Sequence, residues 1–79
     1  MQSKTGELME KGKQFAFAFF RPGSDTPETA HWCEVVGEDS VRLLHCDYQD
    51  VEAGWAIKGR PGVFEVTAVN GRFLTLEIR

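Results

Sequence analysis

The chain has 79 residues, 42% of them apolar and 27% charged, with a net charge of −3. These proportions belong to one globular domain and exclude a disordered tail, and no apolar run approaches the ~20 residues that a membrane-spanning helix requires. The acidic balance argues against general nucleic-acid binding, whose affinity comes mainly from neutralising phosphates.

A domain of this size buries only about 60–65% of the surface its unfolded chain exposes. Self-association, or docking on a partner, is the natural remedy for so thin a core. Two cysteines do not make a disulfide framework. The polar N-terminus is not a signal peptide, which predicts a cytoplasmic location. The charge is unevenly spread. Residues 25–52 hold eight acids against one base, Arg42, for a net −7, whereas residues 1–24 and 53–79 each sum to +2.

Residues 1–12 are polar and hold two glycines; they read as a flexible segment or one short helical turn over Leu8 and Met9 ending at Gly12. Residues 13–79 read as a single β-barrel domain. Gln14 to Phe20 alternates Phe15, Phe17 and Phe19 with Ala16 and Ala18, a strand whose small-residue face predicts close packing of something against it. Arg21 to Thr29 carries Pro22-Gly23, Ser24-Asp25 and Pro27, a long loop of the kind that is often functional. Ala30 to Val36 and Val41 to Cys46 read as strands joined by Gly37-Glu38-Asp39-Ser40. Asp47 to Gly54 is polar and reads as a helical turn or loop. Trp55 to Lys58 is a short strand, and Gly59-Arg60-Pro61-Gly62 is the turn after it.

The last eighteen residues, Gly62 to Arg79, are two alternating runs about Asn70-Gly71, a strong hairpin signal. A two-residue loop at Asn70-Gly71 sets Phe64 against Glu77 and Val66 against Thr75. A three-residue loop, Val69 to Gly71, instead pairs Val66 with Leu74, Phe64 with Leu76 and Gly62 with Ile78. Because a one-residue slip exchanges a strand's faces, the second register is expected, closed by a bulge with Gly71 at positive φ. Its core face is Phe64, Val66, Ala68, Leu74, Leu76 and Ile78. Its outer face is Val63, Glu65, Thr67, Phe73, Thr75 and Glu77.

Short strands at this spacing, with no convincing long helix, predict an all-β fold: a small five- to six-stranded antiparallel SH3-like barrel, with an OB-like barrel as the alternative.

The residue types that carry chemistry are sparse. Pairing the second and third strands with Val36 opposite Val41 puts His31, Cys33 and Cys46 on one face, away from Trp32, Glu34, Leu43 and His45. No C-x-x-C or H-x-x-x-H spacing accompanies them, and buried cysteine normally serves as a small hydrophobe. No metal or other cofactor is therefore assigned. Adjacent His45 and Cys46 point to opposite faces of a strand. No Ser/His/Asp set and no phosphate-binding glycine loop is present, and no catalytic residue is assigned.

Aromatics are the better lead. Nine of them exceed what so small a core needs, and Trp and Tyr are favoured at interfaces. Phe73, Val63, Phe20, Trp32, Tyr48 and Trp55 are the expected interaction residues. The expected function is a non-catalytic β-barrel that binds a protein partner or self-associates, through such a patch and an open strand edge. Single-stranded nucleic-acid binding and small-molecule binding at an oligomer interface are the alternatives.

Overall fold

The computed structural model describes residues 10–44 and 51–79. Six strands make up its regular structure: β1 (Gln14–Phe20), β2 (Thr29–Val35), β3 (Ser40–Leu43), β4 (Ala56–Gly59), β5 (Gly62–Asn70) and β6 (Phe73–Ile78). All pairings are antiparallel, and the sheet closes into a barrel in the order β1-β2-β3-β6-β5-β4. Closure is made by β1, which pairs with both β2 and β4. The expected all-β small barrel is what the chain forms, with no helix among the described residues. Closure also removes the strand edge expected to serve docking, since every strand has a neighbour on each side.

Period-two alternation fills the interior. Phe17 and Phe19 from β1, Cys33 and Val35 from β2, Val41 and Leu43 from β3, Ile57 from β4, Phe64 and Val66 from β5, and Leu74 and Leu76 from β6 are all buried. Phe17 and Phe64 meet edge-to-face, ring centroids 6.3 Å apart at 80°, a geometry favoured by the ring quadrupole. Val51 and Trp55 close one barrel end.

The loop over residues 21–28 is tied across that same end. The Arg21 guanidinium lies 4.8 Å from the Trp55 ring centroid and forms an ion pair with Glu28 at 3.3 Å. The Glu28 N–H donates to the Phe19 carbonyl at 2.6 Å. Thus Trp55 is a core residue with Arg21 over its ring, while residues 21–28 themselves are exposed.

The terminal hairpin differs from expectation in an instructive way. Its loop has two residues, Gly71 and Arg72, with Asn70 paired to Phe73. Gly71 takes φ +61° while Arg72 keeps negative φ, so glycine alone carries the left-handed conformation, as in a type II′ turn. Continued unbroken, this register would set Val66 against Glu77. A bulge between Val66 and Ala68 absorbs one residue at Thr67 and restores Val66 opposite Leu76 and Phe64 opposite Ile78. Relative to the expected pairing the strands have slipped by two residues, which preserves the faces. Phe64, Val66, Leu74 and Leu76 are accordingly core. Beyond the bulge the faces exchange, so Ala68 is exposed and Val69 packs against the core instead. The slip also carries Ile78 to the barrel end, where it is exposed.

The β2–β3 turn is one residue off the expected register. Val35 pairs with Val41 and Cys33 with Leu43, and the Val36 N–H donates to the Ser40 carbonyl at 3.0 Å. Leu43 therefore points inward with Cys33, and Leu44 stands half-buried on the outside. His45, Cys46 and Tyr48, and the segment containing Leu8 and Met9, lie outside the described residues.

On the outer face Glu65 stands directly opposite Glu77, and like charges in that position repel. Glu77→Lys is expected to stabilise the domain by about 0.2–1 kcal/mol, read as a higher urea midpoint. An unchanged midpoint at low salt would show that solvent already screens the pair.

Candidate interaction face

The structure sorts the expected interaction residues by position. Trp32, Phe73 and Val63 are exposed at 53%, 48% and 40%, whereas Trp55 is 2% exposed and belongs to the core. Phe20, at the end of β1 opposite Ala56, is half-buried. Val63 and Phe73 are not neighbours. Val63 pairs with Lys58 at one end of the hairpin, and Phe73 pairs with Asn70 at the other.

Phe73 instead joins Trp32 through β3. Phe73 sits opposite Arg42 on the outer face, and Arg42 sits opposite Glu34, two residues from Trp32 on the same face of β2. The Leu44 N–H donates to the Trp32 carbonyl at 3.0 Å, which places the half-buried Leu44 beside Trp32. Strand spacing puts Trp32 and Phe73 roughly 12 Å apart, with Arg42 between them. Arg42 Nη2 donates to Glu34 Oε1 at 2.7 Å, and the two side chains are 43% and 27% exposed. A partly exposed pair of this kind contributes below about 1 kcal/mol to stability. What it does here is tie Arg42 to Glu34 on the strand between the two aromatic positions. Arg42 Nε is buried and has no hydrogen-bond partner, a cost the fold accepts in placing the arginine there.

Sequence reasoning found the two aromatics and missed Arg42 and Leu44. The missed signal was that Arg42 is the one base within an acidic stretch of twenty-eight residues, and such a residue is expected to have acids as neighbours. Leu44 was missed because the expected register, one residue off, put Leu43 on the Trp32 face in its place.

Of the histidine and cysteine candidates, His31 and Cys33 lie within the described residues. Cys33 is fully buried in the core. His31 is half-buried, with Nε2 3.2 Å from Thr29 Oγ1 and its ring edge-on to Phe19 at 5.3 Å. Both contacts belong to packing. Among the described residues no three His, Cys, Asp or Glu side chains are grouped to hold a metal ion, and no helix is long and apolar enough to cross a membrane. No protein-family model, curated protein or solved structure matches the chain, so the character of this face is read from its own geometry.

Proposed function

We propose that the protein is a non-catalytic binding module that docks on a protein partner through the outer face of β2, β3 and β6. One observation carries this reading: Trp32 and Phe73 are about half exposed on a barrel whose core is complete without them, and they flank Arg42 on one continuous face. Trp, other aromatics and Arg are the residues that dominate binding energy at protein interfaces. Burying a large aromatic ring removes apolar area at a small entropic cost, and an arginine already held by Glu34 loses little further freedom on binding.

A single strand of nucleic acid would also stack on exposed rings, but it needs a basic groove beside them. Here the central arginine is paired with a carboxylate inside the most acidic third of the chain, which favours a protein surface.

The test compares the wild type with the Trp32→Ser/Phe73→Ser double variant. Surface changes of this kind leave stability within about 0.5 kcal/mol, so circular dichroism and urea midpoints should match. Proteins retained by the immobilised wild type should be lost from the variant. A retained set that is the same for both would sink the proposal. Binding of oligonucleotides at low salt, abolished in the variant, would transfer the face to the nucleic-acid reading.

A further inference from the structure

Resting on that reading, we propose that the partner seated on the Trp32 end of this face is a second copy of the chain, related by a two-fold axis. Trp32 projects from β2 opposite Ala16, and Ala30, two residues along the same strand, lies opposite Ala18 on β1. Ala16 and Ala30 are exposed, and Ala18 is half-buried beside Lys58. A bulky ring and a flat platform of three methyl groups thus share one surface, about 7 Å apart along the strand.

This arrangement is self-complementary, as a two-fold interface must be. An axis lying in the interface plane along the Ala16–Ala30 diagonal lays each Trp32 on the other copy's Ala18 and sets Ala16 against Ala16 and Ala30 against Ala30. Ala16 and Ala18 are where the sequence predicted close packing, and among the described residues Ala16 stays exposed.

Charge complementarity selects the same partner. Glu34 follows Trp32 at one corner of the face, while Lys58, exposed on β4 opposite Ala18, stands at the other. The two-fold operation exchanges the corners and brings Glu34 of each copy toward Lys58 of the other. On that axis the two positions stand nearly opposite each other, within reach of a lysine stem. Two molecules of net charge −3 repel overall, and this is a face on which acid and base balance. The convex barrel limits contact to β1, β2 and their immediate neighbours. The interface is therefore at the small end, below about 1,200 Å² in total, and association should depend on concentration.

Sedimentation equilibrium from micromolar to millimolar protein tests this. The mass of the wild type should rise from 8.9 kDa toward twice that value. Trp32→Ser and Ala30→Arg, one removing the ring and the other blocking the platform, should both remain monomers over the same range. Phe73→Ser, two strands away, should dimerise as the wild type does. A wild type that stays monomeric, or an Ala30→Arg variant that dimerises normally, would overturn the second copy as partner. A monomeric wild type that still binds proteins through Trp32 and Phe73 would leave the docking function standing and remove only this inference.

Discussion

Phe64→Ala is expected to lower the free energy of unfolding by about 3–5 kcal/mol. Phe64 is fully buried, lies between Ile57 of β4 and Ile78 of β6, and meets Phe17 edge-to-face. The strands on each side are fixed by backbone hydrogen bonds, so the barrel cannot collapse onto the vacated space. A domain of this length has a total stability of roughly 4–12 kcal/mol, and the substitution removes a large part of it. Urea unfolding followed by circular dichroism reads the effect as a collapse of the midpoint. Phe73→Ala serves as the internal comparison, because it changes the same residue type in the same hairpin. Phe73 is about half exposed, and its loss should move stability by no more than about 0.5 kcal/mol. Comparable midpoints for the two variants would mean that the bulge at Thr67 does not set the faces as described.

That contrast shows what the sequence makes legible. Alternation identifies four of the six strands to within a residue, because a one-sided core forces period two on each. It separates Phe64 and Leu74 from Phe73 without any knowledge of the loop. What it misses is local. The choice between a three-residue loop, Val69 to Gly71, and the two-residue loop Gly71-Arg72 hardly alters the pattern, since a bulge at Thr67 restores it. Ala68 and Ile78 were misplaced for that reason alone. Leu43 and Leu44 are adjacent and equally apolar, so the β2–β3 register had no side-chain signal to select it.

The interaction face was legible in kind and not in place. An excess of aromatics pointed to exposed rings, and Trp32 and Phe73 are exposed. Trp55 was misread because it packs into the core, with Arg21, thirty-four positions earlier, over its ring. Similarly, joining Trp32 to Phe73 requires the order β2-β3-β6, a long-range pairing that no local pattern contains.

Gly59→Ala is expected to destabilise the barrel by about 1–3 kcal/mol, although only a methyl group is added at an element end. In the sequence Gly59 reads as one of two glycines bracketing a turn. In the structure only Gly62 takes positive φ there, at +146°, so Gly59 is not required by its own backbone conformation. It is required by space. A Cβ at Gly59 would lie 2.7 Å from Phe17 Cδ1 and 2.8 Å from the Ala16 carbonyl oxygen. The ring is locked in the core against Phe64, and the carbonyl belongs to β1, so neither neighbour can yield cheaply. Gly59 pairs with Phe17 where β4 meets β1, the seam that closes the barrel. The damage should therefore be local as well as global. Amide exchange should accelerate first in Phe17–Phe20 and Ala56–Gly59, ahead of the β5–β6 hairpin. Gly23→Ala makes the complementary case, since that site has open space but φ +77°. It should weaken the domain by roughly 1–2 kcal/mol through backbone strain, without selective exposure of the seam. If Gly59→Ala leaves both the urea midpoint and exchange along β4 unchanged, the close approach of β1 and β4 that completes the barrel is not as tight as the structure has it.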